Sequence, residues 1–448
     1  MPTPPAGSGI RSRVRWIVQV VFAALLLSTS LPAVPVALTA DAAAPQTPEL
    51  EVPFETVVAN LSSEDGEVRL RAARMLKDSP YEEAAVPLAA LIDDPLDEVQ
   101  FDAIAAELNI FLAEPIVTRR RVGLIVERRA SISAYEIFEM GPLAIGPRAV
   151  PVEVLDALRK AARDDNPRVR LEAVYAFGAL AAEAGGSRRV RLLAESGPDM
   201  AAMIGAVDPL HRYAAVRVLG RVFARRRSDP PVDPEVGDAV IGLLNDKDES
   251  MQRAAMQTLG AMRYDRAVSG LMELFQYFGR GELAEATLDA IARIAHPVSA
   301  MLLTTQLGSA NDVLSATAIE GLARGGDPAK LVEIRSAVGL DREEGLRLAG
   351  DFASVMLSDA TLDPLVGALA RPRTRDRARS YLIEAAPGRT DRFGRHLQDP
   401  DPATRAALVS VLGLSDDPAA IVLLRPMVAD PDPQVSKAVA QAMARLDQ

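Results

Sequence analysis

The chain has 448 residues, 50 basic against 61 acidic side chains, a net charge of −11, three histidines and no cysteine. The missing cysteine excludes disulfides, thiolate metal sites and cysteine nucleophiles, and the acidic balance opposes gripping nucleic acid along the length of the chain. Aromatic residues are scarce, at 4%, which with abundant alanine suits stacked helices at close range more than a large globular core, and nothing signals a sheet domain.

From the N-terminus, Arg11, Arg13 and Arg15 lead into an apolar run, Trp16–Leu27, followed by small residues to Ala40-Asp41-Ala42-Ala43-Ala44-Pro45. Basic, apolar, then Ala-x-Ala is the order of a secretory signal peptide over residues 1–44, cleaved after Ala40, Ala42 or Ala44. Ser28–Ser30, Pro32 and Pro35 interrupt the stretch short of the roughly twenty apolar residues a spanning helix needs. The expectation is an exported chain, periplasmic or extracellular; the alternative is an uncleaved leader that anchors it to the inner membrane. Residues 45–52 read as a linker.

Repeated phrases begin at Glu64-Asp65-Gly66-Glu67-Val68-Arg69 and Asp93-Asp94-Pro95, within a first block of repeats over residues 53–112. The block is followed by an interruption, 113–150, which reads as an insertion or a degenerate repeat. It carries Arg119, Arg120, Arg121, Arg128 and Arg129, alternating Val122, Leu124 and Val126, then Tyr135, Ile137 and Phe138 with Gly141-Pro142 and Gly146-Pro147. Alternation with Gly-Pro breaks predicts a strand or loop excursion. Long insertions in repeat arrays tend to map to one face, often the binding face. Arg119, Arg120, Arg121, Arg128, Arg129, Tyr135 and Phe138 are therefore the candidate partner-binding residues, against the plainer reading of solvated surface arginines.

The array resumes over residues 151–448. Val154, Leu155, Leu158 and Ala161 recur at helical spacing, then Asp164-Asp165-Asn166-Pro167, then a second apolar stripe at Val169, Ala173, Ala176, Phe177 and Leu180. The phrase returns at Asp208-Pro209, Asn245-Asp246-Lys247-Asp248, Asp399-Pro400-Asp401-Pro402 and Asp430-Pro431-Asp432-Pro433, with weaker echoes near Arg280, Asn311, Asp341 and Arg373. The period is about thirty residues, or about eleven units. Each unit reads as helix, tight turn, helix, with Asp or Asn capping the second helix and Pro in its first turn. Two striped helices cannot bury themselves alone, so units must stack into an all-α solenoid. The last helix, near Val435–Leu446, carries Gln434, Lys437, Gln441 and Arg445 and reads as a C-terminal cap.

Val86-Pro87-Leu88-Ala89-Ala90-Leu91-Ile92-Asp93-Asp94-Pro95, with Val99 beyond it, resembles a HEAT repeat, and Val169-Arg170-Leu171-Glu172-Ala173 resembles its second half. The short period is similar to the HEAT-like subclass found in phycobilin lyases. The architecture and the leader give the expectation of an exported scaffold that binds a protein on the concave surface of the second helices; the alternative the resemblance raises is a HEAT-like enzyme or chromophore-attachment factor.

Chemistry-bearing patterns are sparse. The paired aspartates lack the Gly and terminal Glu of a calcium loop and recur at the repeat period, so they read as caps. His211, His296 and His396 stand apart without metal-ligand spacing and read as surface or helix-end residues. No nucleophile elbow or phosphate-binding loop occurs. No catalytic residue, metal or cofactor is expected. Arg225-Arg226-Arg227 reads as a helix end and loop, and the basic run from Arg371 to Arg379 as a turn and a solvated helix face.

Overall fold

One recurring turn builds the elements. Asp432 accepts hydrogen bonds from the backbone N–H groups of Gln434 and Val435 at 2.8 and 3.2 Å. These are amides that a helix start leaves without partners, and Pro433 takes a position that needs no donor. Asp65, Asn166, Asp208, Asp248, Asn311 and Asp401 cap their helices in the same way. Where the phrase fades the cap goes with it: Gly281, Glu343 and Thr374 precede helices without a side-chain cap.

The structure is a computed structural model that describes residues 53–113, 133–182, 186–226, 229–339 and 343–447, all within the unit Leu50–Gln448. Among them eleven helix pairs follow one another. The second helices are Gly66–Asp78, Asp97–Phe111, Pro167–Ala181, Pro209–Val222, Glu249–Met262, Glu282–Ile294, Asp312–Gly325, Glu344–Ser358, Arg375–Ala385, Pro402–Gly413 and Pro433–Leu446. The first helices are more varied. Ala85–Ala89 and Pro234–Ile241 run into 3-10 turns, and in the tenth pair two such turns, Thr390–Phe393 and His396–Gln398, replace the helix.

Each second helix packs on the next along the whole series, whereas first helices meet broadly only at Ala85–Ala89 against Val152–Ala161 and Gly186–Ile204 against Pro234–Ile241. The product is an all-α solenoid curved toward its second helices. Small residues allow the tight inner row. A Cβ on Gly260 would stand 2.9 Å from the Cα of Ala290, and one on Gly413 2.8 Å from the Cα of Ala442. Leu76, Ile104, Phe177, Leu219, Leu259 and Ile291 belong to one buried cluster that runs through the stack, as expected when each unit completes its core with its neighbours.

Two local expectations are corrected. Residues 114–132 lie outside the described residues, and with them Val122, Leu124 and Val126. Beyond them, where a strand or loop was expected, stand the helix Ala134–Glu139 and the turn Pro142–Ala144, with a single antiparallel bridge between Leu112 and Ile145. A capping box explains the helix: Ser133 Oγ accepts from the Glu136 N–H at 3.2 Å while the Glu136 carboxylate accepts from the Ser133 N–H at 2.8 Å. His211, expected at a surface or helix end, does stand at a helix end, in the first turn of Pro209–Val222, but is buried and not at the surface, in the repeat position held elsewhere by Val169, Met251 and Val435. Burial, together with Arg170, lowers its pKa.

Neighbouring turns are bridged by arginines four residues after the cap. Arg405 holds Asp430 of the next turn through Nε and Nη2 at 3.0 and 2.8 Å, while its Nη1 donates to the Asp399 carbonyl of its own turn at 2.9 Å. Arg69 treats Asp94 in the same way, and Arg212 bridges to Asp246. The Arg405 hydrogen bond holds the Asp430 carboxyl below its ordinary range; the Asp248 backbone N–H and then Arg212 do so for Asp246. A carboxylate depressed in the folded state stabilises above its unfolded pKa and loses that contribution as pH falls through the folded value. The melting temperature is therefore expected to fall below about pH 4, and Arg405→Leu to melt lower at pH 7 with a shallower acid dependence. An unchanged pH dependence would show that the bridge contributes nothing.

The inner row gives a second expectation, read by urea unfolding. Gly413→Ala costs about 1–3 kcal/mol, because the new methyl meets backbone that cannot step aside. Gly270→Ala, whose Cβ meets nothing within 4 Å, stabilises by about 0.5–1 kcal/mol through helix propensity. Equal effects at the two sites would refute the close-packing account.

Candidate functional site

Curvature carries the C-terminal end of the inner row round until it meets the insertion and the fourth unit. Arg445, on the last helix, donates from Nη2 to the carbonyl of Ile145 at 2.6 Å and to that of Pro142 at 3.4 Å. Arg226, after the Pro209–Val222 helix, pairs with Asp416 at 3.7 Å. Both contacts join the final two units to the insertion and the fourth unit. Arg445 was expected on a polar capping face; instead it closes the ring.

The inner row lines a half-open chamber of about 1370 Å³. Ten arginines and four carboxylates line it, a reversal of sign in a chain whose net charge is −11. Most of these guanidiniums are engaged. Arg189 is buried on Asp229 at 2.7 and 2.8 Å, and Arg389 holds Asp359 at 2.8 Å. Arg324 grips Glu384 through Nε and Nη2 at 2.8 and 3.0 Å, with Glu320 at 3.5 Å. Burial alone would push the Glu384 carboxyl up, but the hydrogen bond and charge of Arg324, with Arg263 and Arg293 nearby, hold it below its ordinary value. Glu320 also accepts from the Tyr381 hydroxyl, and Tyr381 stacks on Phe352 at 4.4 Å. This network ties the seventh, eighth and ninth pairs together.

The sequence-predicted partner residues divide. Arg119, Arg120, Arg121, Arg128 and Arg129 lie outside the described residues. Tyr135 is half exposed and meets Tyr175 edge-on at 5.1 Å. Phe138 is buried, with Arg221 at 4.9 Å and Arg217 at 5.4 Å over its ring, and it forms part of the chamber wall. Arg217 pairs with Glu139, and Arg221 donates to the Phe138 carbonyl. The insertion thus contributes to the inner face through Ala134–Glu139.

Sequence reasoning read Arg225 only as part of a helix end and loop, and missed Arg263, Arg293 and Arg324. The last three recur at the repeat period of about thirty residues at the ends of successive second helices, a signal hidden because arginine is common throughout. The conspicuous run from Arg371 to Arg379 is elsewhere: Arg371 pairs with Glu344 at 2.9 Å, Arg375 donates to the Leu369 carbonyl and Arg379 pairs with Asp376. Among the described residues no group of acidic or histidine side chains is placed to hold a metal ion, and no helix is long and apolar enough to cross a membrane.

Comparison with known families agrees with the geometry. The HEAT repeat family matches residues 154–184, and the related family described as HEAT repeats matches residues 197–277 and 390–448. The chain is a HEAT-like repeat protein. No curated protein sequence matches it. Among solved structures, this HEAT-like chain is similar to an engineered protein at 16% identity over 88% of this chain and 99% of that one, with a TM-score of 0.39. A designed armadillo repeat protein gives 19% identity over 60% and 98%, with a TM-score of 0.33. A structure described as concerning a phosphorylation switch in the interaction of cadherin with beta-catenin gives 11% over 88% and 94%, with a TM-score of 0.41.

Ring closure is open to a direct check, since the cysteine-free chain takes spin labels cleanly. With labels at Leu143→Cys and Asp447→Cys, one narrow short distance is expected, broadening to longer values when Arg445→Ala is added. A distribution that Arg445→Ala leaves unchanged would show that this contact does not hold the ring shut.

Proposed function

We propose that this HEAT-like protein is an exported, non-catalytic scaffold that holds a segment of a protein partner inside the chamber. The reading rests above all on one observation: the second helices of consecutive repeats, the surface such arrays offer to ligands, line a half-open chamber of about 1370 Å³. That is larger than the roughly 300–1,000 Å³ of a small-molecule site. The order of basic, apolar and Ala-x-Ala residues over 1–44 supports export, and the lack of a local nucleophile, acid–base or phosphate-binding motif supports a binding role. Proteins carrying such repeats commonly act as binding platforms, which makes a protein partner the first expectation.

The test uses the full chain expressed in its own cells and captured from envelope extract. Ala261→Trp, which fills the chamber from its wall, is expected to abolish capture of the partner, while Val332→Trp, on the exposed side of a first helix, leaves it intact. Loss through Val332→Trp with retention through Ala261→Trp would place binding on the outer face and overturn the reading. N-terminal sequencing of the same material is expected to begin at Asp41, Ala43 or Pro45; an intact Met1 in a soluble fraction would overturn export.

A further inference from the structure

We propose that the segment held in the chamber is acidic, its carboxylates seated on Arg225 and Arg263 with Arg293 beside them. This rests on the reading of the chamber as a partner-binding site and adds the chemistry of the occupant. The inference comes from which charges are already matched. Arg189, Arg217, Arg293, Arg324 and Arg389 each have a carboxylate of this chain within ion-pair distance. Through their guanidiniums Arg225 and Arg263 make neither hydrogen bond nor ion pair with any described residue, and both keep solvent contact inside the chamber wall.

Their positions are set by backbone, not by chance extension of long side chains. Arg225 is pinned by its N–H, which donates to the Ala261 carbonyl at 2.8 Å. Arg263 is the left-handed C-cap of Glu249–Met262, with φ of 49° and its N–H on the Gly260 carbonyl. Burial lowers the pKa of Arg263; Glu384 opposes the shift, while Arg324, Arg225 and Arg293 add to it. Arg225, Arg263 and Arg293 each keep an exposed face in the chamber; like-charged guanidiniums in reach of one another repel and gain from an incoming oxyanion, which the planar fork binds bidentately.

The wall also says which anion fits. Phe138, Met356, Ile383, Leu414 and Leu446 alternate with the arginines, and Phe138 is the only aromatic side chain among the described lining residues. Single-stranded nucleic acid needs stacking platforms and a continuous basic track, and a long polyanion would meet the negative charge of the rest of the molecule, net −11. A short polypeptide that mixes carboxylates with apolar side chains satisfies both parts of the wall.

The probe is a fluorescent ten-residue peptide that alternates Glu with Leu, compared with its Gln-for-Glu counterpart and with inorganic polyphosphate as competitor, all against the full chain. The Glu peptide is expected to bind with salt-sensitive affinity and the Gln peptide at least about tenfold more weakly, as loss of charge-assisted hydrogen bonds implies. Arg225→Gln/Arg263→Gln is expected to remove that difference while keeping its helical circular dichroism and melting temperature. Arg373→Gln, in the basic run outside the chamber, leaves it in place. Equal binding of the two peptides, an undiminished difference in the double variant, or polyphosphate displacing the Glu peptide at far lower concentration than free Glu peptide does would each overturn the proposal. The two readings fail separately: a partner captured equally by the parent and Arg225→Gln/Arg263→Gln but lost with Ala261→Trp keeps the scaffold and removes the acidic occupant. Capture indifferent to Ala261→Trp removes the scaffold reading itself.

Discussion

An arginine that donates to the carbonyls of its own turn and to a carboxylate of the next is the contact on which the array depends. Arg405 reaching Asp430, Arg69 reaching Asp94 and Arg212 reaching Asp246 place the guanidinium between two turns at once. The same Asp430 accepts from the Asp432 N–H at 2.9 Å, so one carboxylate shapes its turn and receives its neighbour. Every member of the phrase has a partner, and the phrase can recur only if the turns lie at one fixed spacing. In a nearest-neighbour array that spacing propagates from unit to unit.

The turns set spacing on one edge, and the inner helices set curvature. Gly260 against Ala290 and Gly413 against Ala442 bring backbones close on the side of the second helices, while most of the first helices do not pack on one another. A stack shorter inside than outside must bend. Here it bends until Arg445 reaches Ile145, and the inner face becomes a half-open chamber. Curvature in turn alters the electrostatics, since it brings arginines of separate units within reach of one another and buries some of them, where their charges are less screened. Arg324 meets that condition with Glu384 and Glu320, a network that spans two unit steps and is within reach because the row is so tightly curved.

Much of the fold was legible because its signals are local. Asp-Pro turns, caps and apolar stripes report on the dozen residues around them, and the weak echoes near Arg280, Asp341 and Arg373 fall beside second-helix starts that lack a side-chain cap, while Asn311 keeps its cap. The helix Ala134–Glu139 was missed for a local reason too: Ser133 and Glu136 form a capping box whose signal was outweighed by the Gly-Pro pairs nearby. His211 was misread because a repeat position tolerant of Val, Met or Thr carries no mark of burial when read one unit at a time. The chamber was illegible for a different reason. Which arginines share a space depends on curvature summed over the stack, and no single unit displays it.

Net charge illustrates the same difference of scale. A total of −11 argues correctly against a polyanion laid along the chain, yet it averages over surfaces that never face one another. The second helices present the ends at Arg263, Arg293 and Arg324 inward once per unit, while much of the acidic excess is spent on turns, where Asp65, Asp208, Asp248, Asp401 and Asp432 cap helices. Closing the ring separates the two populations. With the arginines lining the inner face and the capping aspartates at the turns, a net charge of −11 opposes a long polyanion and leaves room for a short acidic segment on the proposed reading.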